Sequence, residues 1–156
     1  MSDRPKIVVL CGSTRFGEAF RAANLRETLA GKIVLSIGCD FKSDDALGLT
    51  DDDKARMDEL HLRKIDLADE VLILNCEGYV GLSAAREIAY AILNEKPLRW
   101  WEGYNDGWEW PVGNESCRRI REALEKVGKG SSRERGSTGA EDDGGAAGGA
   151  AGTVHA

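Results

Sequence analysis

Four short runs of apolar residues alternate along this chain with longer segments in which apolar positions recur every three or four residues. Continuous apolar runs indicate strands covered on both faces, and the longer period indicates amphipathic helices. Strands are predicted at residues 6–10, 33–37, 70–75 and 98–101, each followed by a predicted helix. The first of these helices, over residues 16–30, is expected to bury a stripe made of Phe16, Ala19, Ala22, Leu25 and Leu29.

The β-α alternation predicts an α/β fold, a doubly wound parallel sheet with helices on both faces. Right-handed crossovers leave few topologies, and we expect the flavodoxin-like strand order 2-1-3-4, with room for a fifth strand. This order places a switch point between the first and third strands. The loop at residues 12–15 and the segment 78–87 both reach that point, where ligands bind in open α/β sheets.

The chain has 156 residues, enough for one domain with a proper core. Its last part is rich in Gly, Ala and Ser and contains almost no large apolar side chain. Such a composition buries too little apolar surface to offset the entropy of ordering. We therefore predict a single α/β domain at residues 1–127 and a disordered tail at residues 128–156.

The net charge of −6 argues against a nucleic-acid binder, although a few local donors can hold a small anionic ligand. No apolar run reaches the roughly 20 residues of a membrane span, and residues 1–6 lack the apolar core of a signal peptide. We expect a cytoplasmic protein without a membrane partner. The cysteines show neither a CxxC pair nor a metal-like grouping with the two histidines, so we expect reduced thiols and no metal site: Cys11, Cys39, Cys76 and Cys117.

The first strand runs into Gly12-Ser13-Thr14-Arg15 and then a helix. Glycine allows close backbone approach, the two hydroxyls and the guanidinium can donate hydrogen bonds, and a helix start is electropositive. Together these groups could cradle a phosphate or a carboxylate. The alternative is that Ser13 only caps the helix and Arg15 is a solvated side chain.

Glu87 follows the third strand and lies at the edge of the apolar face of the next helix. A carboxylate beyond the carboxyl end of a parallel strand is well placed for chemistry. Glu87 is therefore the candidate reactive group. The alternative is that it merely complements the positive end of the helix.

Three pieces of the chain resemble the nucleoside 2-deoxyribosyltransferase-like superfamily: LCGSTRF, Ala68-Asp69 and GYVGLSAAREIAYAILNEKP. The resemblance covers residues 6–101 and is strongest to the branch that cleaves 2′-deoxynucleoside 5′-monophosphates. It implies that Glu87 is the nucleophile attacking C1′ of the sugar, which is also the chemistry of retaining glycosidases. It further implies a 5′-phosphate site at Gly12, Ser13 and Arg15, and ligand contacts at Gly81 and Ser83. The resemblance also implies a homo-oligomer that binds a nucleotide or nucleoside and needs no cofactor.

Two positions depart from that branch, which has a tyrosine where this chain has Val9 and an aspartate where it has His61. A histidine could orient the sugar or protonate the leaving base, because its reference pKa of about 6.5 suits both roles. It could equally be a polar group on a half-buried helix. A nucleotide-sensing module that has lost catalysis is therefore the alternative function.

The tryptophans form the remaining group of interest, since Trp100, Trp101, Trp108 and Trp110 gather around Tyr104 in the sequence. Flat indoles can cover a subunit interface or stack on a base. A small satellite core under the last helix is the simpler interpretation. A structural oligomer that uses this surface is a third possible function.

Overall fold

The computed structural model describes residues 3–38, 44–103 and 110–134. Within them, four parallel strands form one sheet in the order β2-β1-β3-β4. The predicted α/β class and the 2-1-3-4 order are confirmed. The strands are β1 at Ile7–Gly12, β2 at Ile33–Leu35, β3 at Glu70–Leu74 and β4 at Leu98–Trp100.

Helices connect the strands and cover both faces of the sheet. Short 3-10 turns at Thr14–Phe16 and Cys76–Gly78 follow the first and third strands. The helices are α1 at Gly17–Leu29, α2 at Asp44–Leu47, α3 at Asp51–Leu67, α4 at Leu82–Leu93 and α5 at Asn114–Glu134. The last helix continues past Gly128, so the boundary expected after Val127 falls inside α5.

Successive residues of the two central strands point to opposite faces of the sheet, as the pleat requires. Val9 and Cys11 of β1 pack with the residues of α3, α4 and α5, whereas Val8 and Leu10 pack under α1. All four of these side chains are fully buried. Cys11 therefore faces the side of the sheet on which α3 and α4 lie.

The start of α3 follows from its sequence. Thr50 accepts a hydrogen bond from the backbone N–H of Asp53, and the Asp53 carboxylate accepts one from the backbone N–H of Thr50. This reciprocal pair satisfies two N–H groups that the first turn leaves without helical partners. It defines where α3 begins.

The stripe predicted for α1 is wrong. Leu25 and Leu29 are 61% and 79% exposed, and the helix instead buries Phe20, Ala23 and Glu27. The reason is that residues 14–16 form a 3-10 turn, so α1 begins later and Phe20 sets the phase by packing under β1. Apolar spacing alone does not reveal this shift.

Glu27 is buried because cations surround it. Its carboxylate accepts hydrogen bonds from Lys32 at 2.8 Å and from Arg99 at 2.7 Å, and Arg26 lies at 2.9 Å. Glu70 of β3 shares the same two cations, Lys32 and Arg99. The network ties α1 to β3 and β4, and it satisfies a carboxylate that burial would otherwise penalise.

The tryptophans do not form one cluster. Trp100 and Trp110 pack against the core under α4 and α5, whereas Trp101 packs on the opposite face of the sheet, where Arg26 lies 4.3 Å from its ring centroid. Consecutive residues at the end of a strand must point apart. Tyr104 and Trp108 lie outside the described residues.

The membrane expectation can be tested on the helices that the structure describes. None of them has both the length and the apolar composition needed to cross a bilayer. The sheet and its covering helices account for the apolar segments of the described chain.

Candidate active site

A cavity of about 740 Å³ lies at the edge of the sheet where β1 and β3 end. The loop after β1 forms one wall, the start of α4 forms another, and one face of α3 closes the third side. The two segments predicted to meet at the switch point, 12–15 and 78–87, thus both contribute to it. Among the residues that line the cavity are Gly12, Ser13, Thr14, Asp58, His61, Lys64, Gly81, Ser83, Glu87 and Arg119.

Gly12 ends β1 at a place where there is no room for a side chain. An added Cβ would lie 3.0 Å from Cβ of Leu74 and 3.2 Å from its carbonyl oxygen. The glycine is therefore explained by the close approach of β1 and β3. Ser13 accepts a hydrogen bond from the backbone N–H of Arg15 at 3.4 Å, so it caps the 3-10 turn while lining the cavity beside Thr14.

Arg15 does not line the cavity, in contrast to its expected role. Its guanidinium lies over the ring of Tyr79, 4.2 Å from the centroid, in a cation–π contact. Arg119 of α5 does line the cavity, donates to the carbonyl of Val80 at 3.0 Å and lies 5.5 Å from the same ring. The sequence offered no direct signal for Arg119, because only the phase of α5 brings it there.

Gly81 and Ser83 both reach the cavity, as the resemblance implies. Gly81 is the N-cap residue of α4, and no side chain caps this helix. Ser83 lies in the first turn of the helix and is exposed. Ser116 of α5 accepts a hydrogen bond from the backbone N–H of Val80 at 2.8 Å, which ties α5 to the loop before α4.

Glu87 lies in the second turn of α4 and points its carboxyl group into the base of the cavity. Its side chain is 13% exposed, and the fully buried Oε2 has no hydrogen-bond partner among the described residues. Burial raises the pKa of Glu87 to about 8, with a further rise from Asp58 that contact with Cys11 partly opposes. At neutral pH this side chain is mainly the protonated acid.

His61 of α3 faces Glu87 across the cavity base and is 5% exposed. Its Nε2 lies 3.5 Å from Oε2 of Glu87 and 3.3 Å from Sγ of Cys11. Burial lowers the pKa of His61 to about 4, and Lys64 adds to the lowering. Burial raises the pKa of the Cys11 thiol, and the neighbouring Glu87 raises it further. All three groups are thus neutral at pH 7 when nothing is bound.

The cluster of Cys11, His61 and Glu87 corrects one conclusion from the sequence. Spacing along the chain showed no metal-like grouping of cysteine and histidine, yet the fold brings donor atoms of these three residues within 4.8 Å of one another. They come from β1, α3 and α4, so only the tertiary structure could reveal them. Cys11 was missed as a member of the site because its two partners lie 50 and 76 residues further along the chain.

Comparisons of the chain with protein-family models, with curated proteins and with solved structures gave no significant match. The resemblance to the deoxyribosyltransferase-like superfamily therefore stays a prediction from the sequence. What the chain does must be argued from the geometry of the cavity.

Proposed function

We propose that the protein cleaves the N-glycosidic bond of a nucleoside 5′-monophosphate through a covalent glycosyl intermediate on Glu87. The observation that carries this proposal is the buried, unpartnered Oε2 of Glu87 at the base of a cavity whose rim includes Ser13 and Thr14. A volume of 740 Å³ suits a nucleotide, since small-molecule sites span roughly 300–1,000 Å³. Glu87 lines this cavity and its side chain is 13% exposed, so its carboxylate, once deprotonated, can approach an anomeric carbon there.

The proton on Glu87 must leave before the carboxylate can act, and His61 is the nearest base. Transfer to Nε2 of His61 produces a carboxylate beside an imidazolium. The pKa of about 8 for Glu87 and of about 4 for His61 put the free-energy cost of this transfer at about 5 kcal/mol. This cost is a modest part of an enzymatic barrier. The carboxylate then attacks C1′, and the imidazolium returns the same proton to the departing base.

Completion of the reaction requires an acceptor for the sugar. Water or a second base attacks C1′ of the glycosyl ester, and the carboxylate leaves with the electron pair of the C1′–O bond. Neutral His61 can take the proton from the attacking water. The proposal therefore uses two side chains of this protein and no cofactor.

The phosphate of the substrate is best placed near Arg119. Ser13 and Thr14 offer hydroxyl donors to the cavity, and Arg119 offers a guanidinium. Arg15 would act from outside the cavity, by holding the ring of Tyr79 against the same wall. Tyr79 lies between the two arginines, which fixes the positions of both side chains.

The test is the release of free base from a panel of nucleoside 5′-monophosphates and nucleosides, followed by chromatography. Glu87→Gln is expected to lower the rate by at least about 1,000-fold, because the amide cannot form the ester. Glu125→Gln, an exposed change on α5, is the matched control and should leave the rate unchanged. Equal rates for wild type and Glu87→Gln would refute the proposal.

A nucleotide-binding module without catalysis is the second candidate. The pKa of about 8 favours it, because an acid held neutral by burial is a poor nucleophile. This candidate predicts nucleotide affinity, weakened by Arg119→Ala, with no free base formed by any member of the panel. The homo-oligomer implied by the resemblance stays a prediction, which sedimentation analysis can test.

A further inference from the structure

We propose that Cys11, His61 and Glu87 form a binding site for a tetrahedral, thiophilic divalent cation such as Zn²⁺. Thiolate, imidazole and carboxylate are the three ligand types that proteins use for this ion. Their donor atoms lie within 4.8 Å of one another at the base of the cavity. Nothing in the proposed glycosidase chemistry requires this cysteine.

Two of the three ligand distances are close to those of a tetrahedral site. Bond lengths to Zn²⁺ place sulfur and nitrogen ligands about 3.6 Å apart and nitrogen and oxygen ligands about 3.3 Å apart. The corresponding distances are 3.3 Å from Sγ of Cys11 to Nε2 of His61 and 3.5 Å from Nε2 to Oε2 of Glu87. The third edge, between the Cys11 sulfur and the Glu87 carboxylate, lies within 4.8 Å and would have to shorten toward about 3.6 Å when an ion binds.

An independent observation points to a ligand at this place. Oε2 of Glu87 is fully buried and lacks a hydrogen-bond partner among the described residues. Such an atom is costly unless something binds it, and a cation at the centre of the cluster would bind it directly. One thiolate and one carboxylate balance the double positive charge, so the buried site would carry no net charge.

The three ligands come from three elements of the rigid core. Cys11 lies in the central strand β1, and His61 and Glu87 lie inside helices α3 and α4. Side chains held by strands and helices make precise metal sites. His61 and Glu87 line the cavity, so water or an anionic ligand in the cavity could supply a fourth ligand.

A bound ion would change the chemistry of the cavity. A carboxylate that coordinates the cation gives up part of its negative charge to the metal and becomes a weaker nucleophile toward C1′, so the ion is expected to inhibit base release. This consequence rests on the proposed function, whereas the metal site itself does not. Zn²⁺ would then act as a competitive regulator at the base of the cavity.

Co²⁺ absorption provides the test on the full chain. After removal of metal with a chelator, we expect one Co²⁺ per chain to give a thiolate-to-cobalt charge-transfer band and the visible bands of a tetrahedral site. Cys11→Ser should remove the charge-transfer band, and Zn²⁺ should displace the cobalt. The control is Cys76→Ser, which removes a partly exposed free thiol outside the cluster and should leave the spectrum unchanged.

Glu87→Gln supplies the second variant, because the amide keeps the shape of the side chain. Zn²⁺ affinity, measured by competition with a zinc indicator, should fall on the order of 100-fold in Glu87→Gln and in Cys11→Ser. Circular dichroism on each variant verifies the fold. No charge-transfer band in the wild type, a band that survives Cys11→Ser, or an equal loss in Cys76→Ser would each overturn the site.

The inhibition is measured separately from the site. If the wild type releases base, Zn²⁺ should suppress the release and a chelator should restore it, and undiminished release with bound Zn²⁺ would refute the competition. If no base is released, the proposed function fails while the cobalt spectrum still decides the metal site. The two proposals therefore fail independently.

Discussion

The free energy of unfolding should depend on pH through Glu87, and Glu87→Gln should remove that dependence. Burial raises the pKa of this carboxyl group to about 8, while an unfolded chain gives glutamate its ordinary pKa of about 4.3. Between these two values the folded state binds one proton more than the unfolded state. The stability that Glu87 contributes is therefore fully present below pH 4.3 and is lost as the pH rises through 8.

The magnitude follows from the linkage relation. Each pH unit in this window changes the free energy of unfolding by about 1.4 kcal/mol per proton, so the interval from pH 5 to pH 7 amounts to about 3 kcal/mol. Gln carries no charge at any pH. The difference in stability, Glu87→Gln minus wild type, should consequently become more positive by that amount across the interval, whatever its value at pH 5.

Urea unfolding at several pH values measures this difference, with a chelator present so that no cation holds the carboxylate. Other titrating groups are common to both proteins and cancel in the subtraction, provided that their own pKa values are unchanged. The control is Gly103→Ala, which removes no titratable group at a position with nothing within 4 Å, so its difference from wild type should stay flat. A flat difference for Glu87→Gln as well would show that the carboxyl group ionises normally and would refute the argument from burial.

Two further predictions concern the frame that holds the site. Gly12→Ala should lower the free energy of unfolding by about 1–3 kcal/mol, because the new Cβ would meet Leu74 at 3.0 Å. Urea unfolding measures this loss, and the control is Gly103→Ala, where the added Cβ has nothing within 4 Å. Glu27→Gln should lower the free energy of unfolding by about 1–3 kcal/mol, because Lys32 and Arg99 lose their bonds to this buried carboxylate and keep those to Glu70, and thermal melting beside Glu125→Gln measures this loss. Unchanged stability in either variant would contradict the corresponding contact.

The sheet was predictable because its information is local. Continuous apolar runs such as 70–75 can satisfy a strand covered on both faces and little else, and right-handed crossovers then restrict the order. The phase of α1 was not predictable, since it depends on how Phe20 fits under β1 and on cations that reach Glu27 from other elements. The burial of Phe20 and Glu27 is therefore decided by residues from other elements of the fold.

The candidate site likewise has residues that the sequence could predict and residues that it could not. Glu87 and the loop at residues 12–15 could be proposed because a strand end followed by a helix start marks the usual place for chemistry. The presence of Arg119 at the cavity in place of Arg15 could not be predicted. It depends on the ring of Tyr79, which contacts Arg15, and on the phase of α5. Cys11 was missed for a similar reason, since its neighbours His61 and Glu87 come from helices that are distant in the sequence.

The state in which Glu87 could act determines how base release should respond to pH. Proton transfer to His61 creates the carboxylate without changing the number of bound protons, so the population of this state is constant between about pH 4 and pH 8. Release of the proton to solvent would instead raise the rate about tenfold per pH unit below pH 8. A flat profile would therefore assign His61 the role of proton acceptor. A rising profile would show that ionisation of Glu87 alone controls the rate, and that His61 has a structural role beside Cys11.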